Sequence, residues 1–362
     1  MAAFELPHSR DYIMQRMGDL SQIGGVKRYV LSEGRSAGVE AIDIETGSGL
    51  CFTVLPGRGM DIAWAKYKGV PLSYISKTGV AHSAYYDPRG MNWLKGFFAG
   101  LLTTCGLTNA GNPSSDHHFL VGDLEHGLHG RISNTPAYAV SAYHEWEGDT
   151  CRIKASGTMR ESFFHMENVT MKRVFDTFLG AKSFTLTDTI TNEGFVTHPL
   201  MLLYHINVGY PMIGENSRFA VASKSVKQAP GCIERRNGGY ATFDPPAAMT
   251  RETSYAHELM TDDDGMTEMA VINDAIGLAL SLKYSPADLR CFNQWKQMSC
   301  AEYVMGLEPG TVFPLGLEDA KKTGNIEYLE PGQTKTITIE FGVSEGMEDI
   351  EALTGRIASL AY

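Results

Sequence analysis

Paired cysteines are missing from this chain of 362 residues: Cys51, Cys105, Cys151, Cys232, Cys291 and Cys300 stand far apart, with no CxxC spacing. This excludes a disulfide framework and a four-cysteine zinc cage, and it points to reduced thiols. Long apolar runs are missing too, since nothing approaches the roughly 18–20 residues that span a bilayer as a helix. The N-terminal Met1–His8 stretch has no basic-then-apolar signal segment. Positive charge is in short supply: 31 Lys and Arg face 42 Asp and Glu, for a net charge of −11. Such a balance works against an unspecific grip on nucleic acid or anionic lipid, both of which need a basic surface. Repeats, low-complexity tracts and linkers are absent. The expectation is a cytoplasmic protein whose partner is a small molecule, with neither nucleic acid nor membrane involved. A homodimer stays open.

Strands alternating with helices of 10–15 residues are lacking as well, which argues against a parallel α/β fold. What is present is alternation of period two. Leu50, Phe52 and Val54 alternate with small or polar residues, as do Phe184, Leu186 and Ile190, and then Ile337, Ile339, Phe341 and Val343. Strands with one dry and one wet face belong to antiparallel sheets. Turn signals recur between them at Glu33-Gly34, Thr46–Gly49, Asn192–Gly194, Asn237–Gly239 and Pro331-Gly332. The acidic Thr261–Gly265 stretch reads as a surface turn, because an EF-hand loop needs ligands at further fixed offsets. Ser9 is placed to cap a helix over residues 9–22 that carries Ile13, Met17 and Leu20, with Gly24-Gly25 ending it. Met347, Ile350, Leu353, Ile357 and Leu360 predict a helix at the end of the chain. The fold class expected is all-β: a large antiparallel β-sandwich with short N- and C-terminal helices. It forms one domain over residues 1–362, of which 1–25 are a helical arm.

The chemistry centres on Met201–Pro211, a strand in which His205 and Asn207 project from one face while Tyr204, Ile206 and Val208 face the other. A polar pair on an apolar strand is costly unless it is satisfied, by neighbours inside the core or by a ligand. Three further stretches offer partners. In Leu55–Ile62, Arg58 lies between two glycines, free to bind hydroxyls or a carboxylate, or else to pair with Asp61 on a turn. Asn109 closes Leu101–Asn109. The segment that follows holds Asp116-His117-His118 and then Glu125-His126-Gly127-Leu128-His129-Gly130-Arg131. A metal site on Glu125, His126 and His129 must be weighed there. However, Gly127 and Gly130 break any helix, and a glycine-rich turn aiming His129 and Arg131 into a cleft is the better reading. In the last stretch, Trp295 offers a flat face for sugar C–H groups and Lys296 follows it. Glu308 sits at a strand end behind Val304, Met305 and Leu307, whose apolar bulk would raise its pKa as a general base requires.

Taken in order, Leu128-His129-Gly130, Tyr204-His205-Ile206-Asn207 and Gly306-Leu307-Glu308-Pro309 resemble the aldose 1-epimerase (galactose mutarotase-like) superfamily, and within it an uncharacterised bacterial branch. The ending Leu329–Ile337 is similar as well, so the likeness runs from about Lys27 to Val343. The resemblance implies a supersandwich whose concave face holds a sugar and needs no cofactor. It also implies roles: Glu308 takes the proton of the anomeric hydroxyl, His205 protonates the ring oxygen from the opposite side, and His129 is a second donor that positions the sugar or polarises the ring oxygen. The chain departs from the better-known branch at Glu125–Arg131, where His126 is extra, and in the Pro56–Asp61 loop. Arg58 and Arg131 then suggest an acidic or otherwise modified sugar. Arg58, Asn109, His126, Arg131, Asn207, Trp295 and Lys296 are the expected substrate-binding residues. A non-catalytic carbohydrate-binding protein and a metal-dependent sugar isomerase or lyase are the alternatives.

Overall fold

The computed structural model describes residues 9–228 and 239–360, so Cys232 and the Asn237 and Gly238 of the expected Asn237–Gly239 turn lie outside the described residues. β1 (Gly25–Val30), β2 (Glu40–Glu45), β3 (Leu50–Leu55), β4 (Asp61–Tyr67) and β5 (Val70–Pro71) form a five-stranded meander. β6 (Tyr74–Ile75) pairs with β7 (Ala99–Gly100), β8 (Thr103–Leu107) follows, and β9 (Ser114–His118) with β10 (Gly122–His126) makes a separate hairpin. Next come β11 (Tyr138–Glu147), β12 (Thr150–Ser162), β13 (Asn168–Phe178), β14 (Ser183–Asn192) and β15 (His198–Gly209). The chain continues through β16 (Ser217–Val221), β17 (Ser223–Gln228), β18 (Thr253–Leu259), β19 (Thr267–Asn273) and β20 (Leu278–Tyr284). It ends with β21 (Cys291–Ser299), β22 (Glu302–Gly310), β23 (Glu327–Leu329) and β24 (Thr334–Glu345).

Two large sheets result. One runs β11-β12-β13-β14-β24-β20-β19-β16; the other runs β17-β18-β21-β22-β15-β23, with β8 also pairing to β15. The ladders between named strands are antiparallel. Alternation decides what lies between the sheets. Phe184 and Leu186 of β14 face Phe341 and Ile339 of β24, and the Phe52, Phe184 and Phe341 rings stack in series at 4.1 and 4.7 Å. Leu202, Tyr204, Ile206 and Val208 of β15 join that core. The opposite face of β15 is not left to solvent. Met201 and Leu203 pack beneath Trp93, Cys105, Leu128 and Leu317, contributed by the loops and by α2 (Leu317–Thr323). A strand covered on both faces reads as a nearly unbroken apolar run, which is why a histidine and an asparagine stand out in it.

The ends of the chain depart in detail from the expected helices. Ser9 does cap a helix, accepting from the Tyr12 amide, but this α1 covers only Arg10–Met14. A separate 3₁₀ turn at Leu20–Gln22 is capped by Asp19, so the expected single helix is split around Gly18. α3 (Met347–Ser359) buries Ile350, Leu353 and Ile357 against Ala270, Ile272 and Ala279 and leaves Met347 exposed. The Thr261–Gly265 turn is tied by the Asp262 carboxylate, which accepts from the Asp264 and Met266 amides.

Behind the β15 strand lies a fully buried ionic knot. Arg173 of β13 holds Asp188 of β14 through two bonds of 2.9 and 2.6 Å, and Asp61 of β4 at 2.9 Å. Tyr204 donates to Asp188, while the amide and hydroxyl of Thr104 in β8 both donate to Asp61. Removing one member leaves buried charge uncompensated, which costs about 3–5 kcal/mol. Arg173→Met is therefore expected to lower the unfolding free energy by about that amount in urea titrations, leaving Asp61 and Asp188 unpaired in the interior.

Candidate functional site

The register of the second sheet builds the site. Ile206 lies opposite Leu307, so His205 falls beside Glu308, and Glu308 is paired with Asn293 of β21. One row across three strands thus reads His205, Glu308, Asn293. The next row reads Asn207, Gly306, Trp295. Both rows point away from the main core, because paired residues of an antiparallel ladder share a face. Glu308 lies inside β22, two residues short of its end, and not at the strand terminus itself.

Glu308 Oε1 is 3.2 Å from His205 Nε2, and Glu308 Oε2 accepts from Asn293 Nδ2 at 2.7 Å. Burial pushes the Glu308 carboxyl up to about 8, the Asn293 bond opposing it and Glu252 adding to it. Burial pushes the His205 imidazole down to about 4. Between those limits the pair holds one mobile proton. His205 Nδ1 and Asn207 Oδ1 are buried without a hydrogen-bond partner, while Asn207 Nδ2 donates to the His205 carbonyl.

His129 arrives from the other side on a backbone held in the left-handed region, with φ of 57°. Its imidazole lies 4.7 Å from the Trp93 ring and edge-on to His205 at 5.8 Å. The Gly111 amide donates to His129 Nδ1, so the ring proton sits on Nε2. Burial pushes this imidazole down to about 3, which makes it a neutral donor. Gly130 can be nothing larger: an added Cβ would meet the Asn109 and Gly106 carbonyl oxygens at 2.5 Å. Phe97 lies 5.2 Å from His205 and stacks on Trp93, and Trp295 approaches His205 edge-on at 5.4 Å. The Trp295 indole donates to Glu252. Gly306 keeps the floor open, since a Cβ there would fall 2.9 Å from Glu308 Oε1 and 3.2 Å from His205 Cε1.

Of the expected residues, His129, His205, Asn207, Trp295 and Glu308 come together, and the others do not. Arg58 is buried, and its guanidinium donates to the Ser133, Ala81 and Gly96 carbonyls at 2.9, 2.5 and 3.2 Å. It is neither uncrowded nor a surface partner of Asp61, so its assignment to substrate is corrected to a structural one. Asn109 is spent on loop closure: Nδ2 donates to Asn112 and Gly127, and Oδ1 accepts from Ser114 and Leu317. Lys296 takes the strand face opposite Trp295 and donates to the Gly239 and Thr242 carbonyls. Arg131 is held by Glu161 and Glu167, and together with His126 it lines a neighbouring cavity across the Gly127–Gly130 turn. His129 and Arg131 therefore do not share a cleft. Among the described residues no cluster of three or more His, Cys, Asp or Glu has a metal-ligating arrangement. Trp93, Phe97, Asn293 and Gly306 join the site without being among the residues expected from the sequence. Asn293 and Gly306 share strand parity with Trp295 and Glu308, a signal present in the sequence; Trp93 lies in a 3₁₀ turn over Asn92–Gly96 that Phe97 closes, where no periodic pattern marks either ring.

The model of a family described as "Domain of unknown function (DUF4432)" matches residues 36–343. No curated protein matches the chain. Solved structures share its fold. A Klebsiella pneumoniae protein described as a "putative aldose 1-epimerase" superposes with a TM-score of 0.83 at 23% identity, covering 93% of this chain and 88% of that one. A galactose mutarotase-like protein from Clostridium acetobutylicum gives 0.61 at 14% identity, with 90% and 99% covered. The galactose 1-epimerase of Lactobacillus acidophilus gives 0.56 at 11% identity, with 90% and 100% covered.

The depressed imidazoles and the elevated carboxyl yield a direct titration. In NMR spectra of selectively labelled protein, the His129 and His205 ring signals are expected to stay at their neutral positions from pH 8 down to pH 5, values set by pKa of about 3 and about 4. The Glu308 carboxyl carbon is expected to shift around pH 8. Ordinary histidine titration near pH 6.5 would contradict the geometry.

Proposed function

Because the chain belongs to the DUF4432 family and has the galactose mutarotase-like fold, we propose that it is an isomerase that exchanges the anomers of a reducing sugar. The observation that carries this reading is the contact between His205 and Glu308 at 3.2 Å in a buried row, sharing one proton at neutral pH. Anomer exchange needs the hydroxyl proton at C1 removed and a proton delivered to the ring oxygen. Both oxygens sit on one carbon, so an acid and a base side by side reach them; they need not stand on opposite faces as the resemblance implied.

The protons balance within the pair. With Glu308 ionised and His205 protonated, the carboxylate takes the C1 hydroxyl proton as the imidazolium gives its own to the ring oxygen. The C1–ring oxygen bond breaks, and the open aldehyde is left beside a neutral pair. Rotation about C1–C2 and the reverse transfers close the ring as the other anomer. Starting from the neutral pair, the two groups simply exchange roles. His129 offers its Nε2 proton to a sugar oxygen, the free Oδ1 of Asn207 accepts a hydroxyl, and Trp295, Trp93 and Phe97 supply apolar faces for C–H groups. Arg58 and Arg131 do not support an acidic sugar, since carbonyls and carboxylates occupy them. No described helix is long and apolar enough to cross a membrane, and the five described cysteines are unpaired, in keeping with a reducing compartment such as the cytoplasm.

Two outcomes are expected from polarimetry of freshly dissolved aldoses. Glu308→Gln and His205→Ala each slow exchange by about 10²–10⁴-fold, the contribution of a general acid or base. In the wild type, kcat/KM against pH is a bell. It falls below about 4, where His205 takes a second proton and no base is left, and above about 8, where Glu308 loses its proton and no acid is left. Full activity in both variants, or a rate flat across that range, would overturn the assignment.

A further inference from the structure

Away from the His205–Glu308 row, three turns crowd one end of the molecule with exposed apolar side chains. Phe119 and Leu120 cap the β9–β10 hairpin, Phe164 lies in the β12–β13 turn, and Phe195 and Val196 lie in the β14–β15 turn. Phe119, Phe164 and Phe195 are 82%, 81% and 96% exposed. These are not scattered residues. Their neighbours His118, Met166, Gly194 and Val196 line a single cavity of about 210 Å³ between the three turns. With Val121, Tyr138 and Phe163 the patch presents on the order of 800 Å² of apolar surface, given that a large aromatic side chain covers about 150–250 Å². A patch of this extent marks an interaction site.

We propose that the surface is the interface of a homodimer, occupied by a second copy of this chain. Three features favour that occupant. The area matches the roughly 800 Å² per partner of a standard stable interface. The patch carries both a knob and a hole, the Phe119 hairpin tip beside the cavity, so a twofold axis seats each copy's hairpin against the other's opening; this self-complementarity is what an isologous contact requires. The charges in and beside the cavity are paired within the chain, Lys321 with Asp116 and Arg160 with Glu193 at 2.5 and 2.6 Å, so they do not oppose the approach of a second copy. The contact also bears on the proposed catalytic site. β10 ends at His126 and runs directly into the turn that presents His129, so docking the hairpin steadies that turn.

Sedimentation equilibrium of the full-length protein at micromolar concentration tests the proposal. The wild type is expected to be a dimer. Phe119→Glu, Phe164→Glu and Phe195→Glu are each expected to raise the dissociation constant about 30-fold or more, the loss typical of a central interface side chain. Ile276→Glu serves as the control: it is 40% exposed in the β19–β20 turn, at the opposite end of the eight-stranded sheet. It is expected to leave the dimer intact. Should a charged variant lose its β-sheet circular dichroism, the corresponding Phe→Ser change gives the same readout. A monomeric wild type, including one whose patch binds a polysaccharide instead, overturns the proposal, as do patch variants that dimerise like the wild type or a control that dissociates.

Discussion

The buried knot around Arg173 fixes the relative position of the strands that matter. It ties β4, β8, β13, β14 and β15 through two carboxylates, a phenol and a threonine, all inside the core. Hydrogen bonds of this kind tolerate little displacement, because the groups they satisfy are costly when unpaired. Tyr204 is one of those groups, and its neighbour in the chain is His205. A strand whose inward side chain is held in this way cannot slip in register without breaking the knot. A slip of one residue would turn His205 into the core and Tyr204 out of it.

With register held, the site follows from the pleat alone. His205, Glu308 and Asn293 form one cross-strand row and Asn207, Gly306 and Trp295 the next. What the loops add is enclosure. Trp93, Phe97 and His129 cover the row from above, and their burial of the carboxyl and the imidazoles moves the proton affinities of Glu308 and His205 in opposite directions. A carboxyl raised to about 8 and an imidazole lowered to about 4 share one proton over the whole neutral range. The apolar cover thus sets the electrostatics on which the proposed chemistry rests.

Much of this was legible in the residues. Period-two patterning predicts the antiparallel sandwich, and the polar pair in the apolar β15 strand marks the site from one side. The raised affinity of Glu308 is expected from the apolar run that precedes it, but Met305 and Leu307 of that run face the main core, and it is the loop cover of Trp93, Phe97 and His129 that buries the carboxyl. Strand parity also separates Trp295 from Lys296, although only the sheet shows which of the two faces the histidine. What the sequence leaves hidden is how side chains are consumed. Arg58 and Asn109 look available between glycines and threonines, yet carbonyls from distant loops, such as Ser133 and Gly127, occupy them. Arg131 stands two residues from His129 but points across the turn to Glu161 and Glu167, a pairing set by the β12–β13 turn and not by local spacing. The N-terminal helix breaks because Asp19 caps a new turn after Gly18, a local competition that apolar spacing does not register.

The account stands on the claim that the His205–Glu308 pair opens and recloses a sugar ring. Saturation transfer between the two anomeric protons, recorded for a panel of reducing sugars with and without the protein, addresses that claim most directly. The account predicts that at least one aldose shows exchange well above the buffer rate near pH 7, with the C1 proton retained. Sugars that bind in the cleft while their anomers exchange no faster than in buffer would contradict it.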